Sequence, residues 1–152
     1  MKRELSKEEL LAFLRETAIM NISTILEGKP ISSVVGFAVK DDFVFTFVTG
    51  RESYKARSLF ENPSIAFSVW KRDGMFVQGT GQASVLSSEE HFSAFMEVAE
   101  SVVKLKGFWP PIFSTGHGDY AVFTIKPSWI RMLNLSDLTV SAEDSPFTEF
   151  NF

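Results

Sequence analysis

The side chains best suited to chemistry lie within residues 45–63, where a β-rich run gives way to a helical pattern. The anion-binding types in this stretch are Thr49, Arg51, Ser53, Lys55 and Arg57. The start of a helix offers unpaired backbone N–H groups and the positive end of its dipole, both of which attract negative charge. The spacing therefore predicts a phosphate site at a strand-to-helix junction. The plainer alternative is a capped surface helix with solvated charges.

Several classes of function are disfavoured by what the sequence lacks. It contains neither G-x-x-x-x-G-K-[ST] nor G-x-G-x-x-G, which argues against an NTPase or a dinucleotide-binding Rossmann site. A net charge of −4, with Lys and Arg spread along the chain, argues against nucleic-acid binding. The absence of cysteine excludes disulfides and thiolate nucleophiles, and no cluster suggests a metal site. No signal peptide or apolar run of about 20 residues is present, so we expect a cytoplasmic protein without membrane contact.

No catalytic constellation is evident, so the catalytic residues stay unassigned. The two histidines are His91, expected at the surface near a helix start, and His117, expected in a loop rich in Pro and Gly. A loop histidine with Asp119 close by could approach a substrate, although a plain loop residue is the simpler interpretation.

Hydrophobic periodicity predicts a mainly β protein of one domain over residues 1–152. Helices are predicted over residues 7–17, from just after Thr49 to residue 62, and over residues 87–105. Strands are predicted over residues 19–26, 31–39, 43–48, 64–70, 75–86, 120–125 and 129–133, with a turn at residues 126–128. Short antiparallel strands with helices between them predict a six- to seven-stranded antiparallel β-barrel with peripheral helices. The tail, residues 136–152, is expected to dock on the body or on a partner because it carries Phe147, Phe150 and Phe152.

The order of these elements, with Thr49, Ser53-x-Lys55 and Asn62-Pro63, resembles the pyridoxamine 5′-phosphate oxidase-like family of FMN-binding split barrels. The resemblance covers roughly residues 5–135. It implies a split-barrel fold and FMN as the cofactor, with Thr49, Ser53 and Lys55 holding the phosphate.

The resemblance also implies where the flavin ring would lie. It assigns the polar edge of the ring to backbone groups of Ser33, Val34, Val35 and Gly36 on the second strand, and Gln78 on the fifth strand is a further candidate contact. Family members are homodimers with flavin at the interface. Trp109, Trp129 or the Phe-rich tail could therefore cover the ring, or could simply pack in the core or interface.

Departures from the family pattern bear on function. Ser33 and Ala38 stand where the resemblance places an Arg and a Lys in the true oxidases, and no histidine lies near Arg131 to complete an Arg-x-His. The sequence therefore favours a flavin-dependent oxidoreductase with an unknown small substrate over oxidation of pyridoxamine phosphate. The alternatives are a non-enzymatic flavin-binding stress or sensor protein, or a split barrel that uses F420 or haem.

Overall fold

The computed structural model describes residues 3–72, 74–106, 119–136 and 145–152. Within this part of the chain the helices are α1 (Lys7–Thr17), α2 (Tyr54–Glu61) and α3 (His91–Val102), the last preceded by a short 3-10 turn. The strands are β1 (Ile19–Leu26), β2 (Lys29–Gly36), β3 (Ala38–Val39), β4 (Phe45–Gly50), β5 (Ser64–Trp70), β6 (Met75–Val85), β7 (Tyr120–Asn134) and β8 (Thr148–Asn151). No helix in these ranges is long and apolar enough to cross a membrane.

The helix boundaries follow from capping chemistry. Ser6 accepts a hydrogen bond from the backbone N–H of Glu9, and the Glu9 carboxylate accepts one from the N–H of Ser6, so the predicted capping box is present. The N–H of Ser6 is the largest influence on Glu9 and, with Arg3, lowers the pKa of its carboxyl group. The second helix ends at Glu61 with Asn62 as its cap, because Pro63 disfavours helical geometry in its predecessor.

The strands form one antiparallel sheet that curls around an apolar core. Their order is β2-β1-β5-β6-β7-β4-β3. The last strand, β8, pairs with Trp129–Met132 of β7, beyond the part of β7 that pairs with β4. Alternate residues of each strand face the core, whose largest fully buried rings are Phe37, Phe45, Phe47 and Phe123. A smaller apolar cluster packs α3 against β4 and β7. The predicted mainly β split-barrel fold is confirmed.

The barrel is split between β2 and β4. The short strand β3 pairs with β4, matching Ala38 with Thr46. The same register continued toward β2 would place Gly36 opposite Val48 and Val34 opposite Gly50, but no such pairs form. The chain thus leaves β4 at this point to pair with β1, and a gap opens between two strand edges.

The structure corrects the prediction of two strands separated by a turn at residues 126–128. One continuous strand, β7, runs through this segment. Pro127 lacks an N–H and was expected to interrupt the ladder, yet it lies opposite Gly81 at a shift in the β6–β7 register. Such an irregularity leaves a residue without a ladder hydrogen bond, so proline is tolerated there.

The end of the chain pairs with the body of the protein. β8 runs antiparallel to β7, and Phe150 is buried in the main core. The Oγ1 of Thr148 accepts a hydrogen bond from the N–H of Leu5 at 3.1 Å. The ring of Phe152 lies 5.4 Å from that of Phe43. The two ends of the described chain therefore meet.

Candidate functional site

Two hydroxyl groups meet at the start of α2. Ser53 is its N-cap, and its Oγ accepts a hydrogen bond from the N–H of Ala56 at 3.2 Å. The same Oγ lies 2.9 Å from the Oγ1 of Thr49, at the end of β4. The structure therefore brings together two of the three residues predicted to bind phosphate, at the positive end of a helix dipole.

Lys55, the third predicted residue, lies in the first turn of α2 and is half-buried. Burial lowers the pKa of its ammonium group from the ordinary value of 10.5. Within the described part of the chain, no carboxylate or carbonyl is paired with this ammonium group. Partial burial of a cation costs desolvation free energy, and no ion pair offsets that cost here. An anionic ligand would offset it.

The two arginines of this region are in different situations. The Nε of Arg51 forms an ion pair with the Oδ2 of Asp119 at 2.8 Å, so its charge is already compensated. Arg57 is exposed, and its guanidinium lies 5.6 Å from the ring centroid of Tyr54. Sequence reasoning missed the role of Asp119, because the two partners are far apart in the chain and only the β4–β7 pairing brings them together.

The pairing of β2 shows which of its backbone groups are free. The N–H of Phe37 donates to the carbonyl of Ala18 at 2.9 Å, which makes this a hydrogen-bonded pair. Because such pairs alternate along antiparallel strands, the backbone groups of Ser33 and Val35 are bonded to β1. Those of Val34 and Gly36 point away from β1, into the split.

The split therefore places the two halves of the candidate site next to each other. Helix α2 contacts β1, β2 and β4, and β2 also contacts β4. The backbone groups of Val34 and Gly36, which have no strand partner among the described residues, lie on one side of the gap, and the end of β4, with Thr49, lies on the other. The side chains of Val34 and Tyr54 flank this region and are 52% and 65% exposed. A ligand here would have a polar anchor beside an apolar surface.

Gln78 is not part of this cluster within one chain. It lies on the outer face of β6, and its Oε1 accepts a hydrogen bond from the Nε of Arg131 at 2.9 Å. Strands β1 and β5 lie between it and β2, which corresponds to about 14 Å at the usual strand spacing.

The other residues considered from the sequence are dispersed. The Nε1 of Trp129 donates to the Oε1 of Glu149 at 3.0 Å, on the outer face of β7. His91 is half-buried, and its Nε2 lies 2.9 Å from the carbonyl oxygen of Leu86. Trp109 and His117 lie outside the described residues. In the described ranges no group of three or more His, Cys, Asp or Glu residues could hold a metal ion.

Comparison with known proteins gives a consistent result. Residues 6–134 match the family profile described as pyridoxamine 5′-phosphate oxidase. A pyridoxine/pyridoxamine 5′-phosphate oxidase of Actinobacillus pleuropneumoniae is 29% identical over 90 residues, which are 59% of this chain and 43% of that protein. One from Haemophilus ducreyi is 31% identical over 91 residues, 57% of this chain and 44% of that protein. The match thus spans less than half the length of these relatives.

Solved structures share the fold at low sequence identity. A conserved hypothetical protein of Mycobacterium tuberculosis superposes with a TM-score of 0.71 at 18% identity, covering 95% of this chain and 96% of that one. A heme binding protein of Mycobacterium smegmatis gives 0.70 at 16% identity, over 99% of this chain and 60% of that one. A pyridoxamine 5′-phosphate oxidase-related, FMN binding protein of Nostoc punctiforme gives 0.63 at 11% identity, over 100% and 99%.

Proposed function

The chain belongs to the pyridoxamine 5′-phosphate oxidase family, and from this premise we propose that it binds FMN in the split between β2 and β4. The observation that carries the proposal is Lys55, a half-buried cation without a counter-charge in the described chain. It lies two residues after Ser53, whose hydroxyl is 2.9 Å from that of Thr49. A phosphate monoester carries nearly two negative charges at neutral pH and accepts several hydrogen bonds, which suits this donor set.

The ring of the cofactor would lie along the free edge of β2. Backbone groups of Val34 and Gly36 are available there to the polar edge of the ring. Ser33 and Val35, whose backbone groups are bonded to β1, would hold the strand in position. The donors and acceptors of an apolar strand suit a flat, largely apolar molecule with one polar edge. FMN, when bound, supplies hydride and electron transfer, and the chain binds and orients it.

We propose an oxidoreductase activity on an unidentified small substrate, and we do not extend this to oxidation of pyridoxamine phosphate. The positions of Ser33 on β2 and Ala38 on β3 carry no cation for a second phosphate. Arg131 is hydrogen-bonded to Gln78, and no histidine occurs in β7. Steady-state oxidation of NAD(P)H that depends on bound FMN would support an enzyme. Stable FMN without turnover across donors and acceptors would favour a binding or sensor protein.

A homodimer is part of the same proposal. The candidate site is open on one side, and the exposed side chains of Val34 and Tyr54 flank it. A second copy that covered these apolar groups would also shield the ring from water. Light scattering after gel filtration is expected to give twice the monomer mass, and a monomer that retains FMN would contradict this assembly.

The direct test is absorption spectroscopy of the purified protein, followed by titration with FMN. We expect the two visible bands of oxidised flavin to remain after removal of free cofactor. Lys55→Met should weaken FMN binding by about 10- to 150-fold, since a hydrogen bond to a charged group contributes about 1.5–3 kcal/mol. The matched control is Lys126→Met, an exposed lysine on β7 beyond the opposite end of β4.

Two outcomes would overturn the proposal. Equal FMN affinity in Lys55→Met and Lys126→Met would place the phosphate elsewhere. A Soret band in place of flavin bands would favour haem, the ligand named for the structural neighbour from M. smegmatis.

A further inference from the structure

Helix α3 carries apolar side chains on two separate sides. One side, with Ala94, Val98 and Val102, is buried against β4 and β7. The apolar residues of the other side, which we call the α3 stripe, are Phe92, Met96, Ala99 and the C-cap Val103. At about 100° per residue the stripe spans about 60° of the helix surface, and its centre lies roughly 130° from that of the buried side. The stripe therefore cannot pack on the sheet of its own chain.

The α3 stripe is open to solvent. Phe92 is 75% exposed, Val103 is 65% exposed and Met96 is 41% exposed. A surface helix normally has one apolar side, with polar residues opposite. Because α3 already buries one apolar side, the aligned side chains of the stripe form a second apolar surface, which is typical of a contact with a partner.

The spacing of the α3 stripe makes it complementary to a second copy of itself. Its members lie symmetrically about a point between residues 97 and 98. When two copies of α3 lie antiparallel and share this point, Phe92 of each copy faces Val103 of the other, and Met96 faces Ala99. Each of these contacts sets a larger side chain against a smaller one, which favours close packing.

The charges at the two ends of α3 favour the same orientation. Glu89 and Glu90 are exposed at its N-terminal end, and Lys104 and Lys106 are exposed just beyond its C-terminal end. Among the described residues none of the four forms an ion pair, and Lys104 donates to the carbonyl oxygen of Arg15. An antiparallel contact brings the acidic end of one copy to the basic end of the other, whereas a parallel contact would place like charges together.

We propose that the α3 stripe is a contact between two copies of this chain, packed antiparallel about a two-fold axis. The stripe includes no residue of β2, β4 or α2, so the contact requires neither FMN nor the homodimer proposed at the split. A single pair of helices buries less than the standard interface area of about 1,600 Å². The association is therefore weak, with a dissociation constant of roughly 10–100 µM, and at high protein concentration it joins homodimers into larger assemblies.

Sedimentation equilibrium of the full-length protein from about 2 to about 500 µM tests the proposal. We expect the mean mass to rise toward twice its value at the lowest concentration. Met96→Glu should abolish the rise, because the contact would bury an unpaired charge, whereas Met96→Leu should keep it. The matched control is Ser93→Glu, which adds the same charge to an exposed position of α3 outside the stripe and should behave like the wild type. Glu89→Lys should weaken the association severalfold, because like charges then meet.

A wild-type mass that stays constant with concentration, or an equal rise in Met96→Glu, would overturn the proposal. A loss of thermal stability in Met96→Glu, together with a constant wild-type mass, would mean that the stripe is covered within a single chain and would overturn it as well. Failure of the proposed function is read separately. The flavin spectrum and the mass at the lowest concentration report on the split, and the change of mass with concentration reports on the α3 stripe.

Discussion

At the scale of single residues, Lys55 combines a cost in stability with a role in binding. Burial lowers the pKa of its ammonium group below 10.5 in the folded protein. The unfolded chain therefore holds this proton more tightly, and burying the charged form opposes folding near neutral pH. A residue retained at such a cost is typical of a ligand site rather than of a structural contact.

Lys55→Met is therefore expected to raise the stability of the FMN-free protein. The methionine keeps most of the aliphatic stem and removes the desolvated charge. In the wild type the unfolded chain binds more protons in the interval between the lowered pKa and 10.5, so stability rises with pH across that interval. Denaturant unfolding at about pH 7 and about pH 10 should show a gain that shrinks at the higher pH. A loss of stability in Lys55→Met, with Lys126→Met unchanged, would contradict this.

Ser53 is expected to have two separable roles, as helix cap and as phosphate ligand. Ser53→Ala should lower the free energy of unfolding by about 1 kcal/mol, because the N–H of Ala56 loses its acceptor. Ser53→Asp keeps an equally good cap, so its stability should stay near that of the wild type.

The order of the two Ser53 variants should be reversed for FMN affinity: the more stable variant, Ser53→Asp, should bind FMN more weakly. The aspartate repels a phosphate group, so Ser53→Asp should bind FMN more weakly than Ser53→Ala, as measured by flavin fluorescence titration. If Ser53→Asp bound FMN as well as the wild type, Ser53 would be a cap alone.

Residue types and spacing were sufficient to predict which side chains gather at the start of α2. The hydroxyls of Thr49 and Ser53 meet because a strand end and an N-cap lie only a few residues apart. Which of the cations would be free could not be predicted. Arg51 and Lys55 look equivalent in the sequence, and the difference arises from Asp119, which pairs with Arg51 through the β4–β7 register.

At the scale of elements, the glycines of β6 let neighbouring chain segments approach closely. A Cβ on Gly81 would lie 2.4 Å from the carbonyl oxygen of Lys126 and 2.9 Å from the Cα of Pro127. Both are backbone atoms at the irregular step between β6 and β7, so they cannot move aside by a rotamer change.

Gly81→Ala is accordingly expected to destabilise the protein by about 1–3 kcal/mol, the usual cost of overpacking. Thermal and denaturant unfolding measure this directly. Gly50→Ala is the matched control, since a Cβ there meets nothing within 4 Å and the backbone is not left-handed. Equal stability of the two variants would show that the β6–β7 step relaxes without cost.

The boundaries of most elements follow from local signals, and the exceptions have tertiary causes. The helix at Lys7–Thr17 and the strand at Ser64–Trp70 agree with the predicted ranges, because a capping box and clear alternation define them. The break predicted at Pro127 was wrong, because the strand continues through an irregular step at which β7 carries one extra residue, Ser128, beside the proline. Hydrogen bonding to β1 alternates along β2, so every second residue has backbone groups that point away from β1. Which residues these are follows only from the register between β1 and β2, which the sequence does not give.

At the scale of the whole molecule, the last strand closes the structure by joining the chain ends. Phe150 enters the main core from β8, and Thr148 accepts the N–H of Leu5 just before α1. The ammonium group of Lys7 lies 5.1 Å from the centroid of the Phe152 ring, which itself packs on Phe43. These contacts hold α1 and the outer edge of β7 together, on a part of the molecule away from the split.

Phe150→Ala is therefore expected to lower the free energy of unfolding by about 3 kcal/mol or more, the usual cost of removing a buried ring. Because the split is built from β2, β4 and α2, the affinity of the folded variant for FMN should stay within about twofold of the wild type. Asn151→Ala, a change at the exposed neighbour, is the control and should alter neither quantity. Loss of FMN affinity in Phe150→Ala at a temperature where the protein stays folded would instead mean that the closing strand and the cofactor site are coupled.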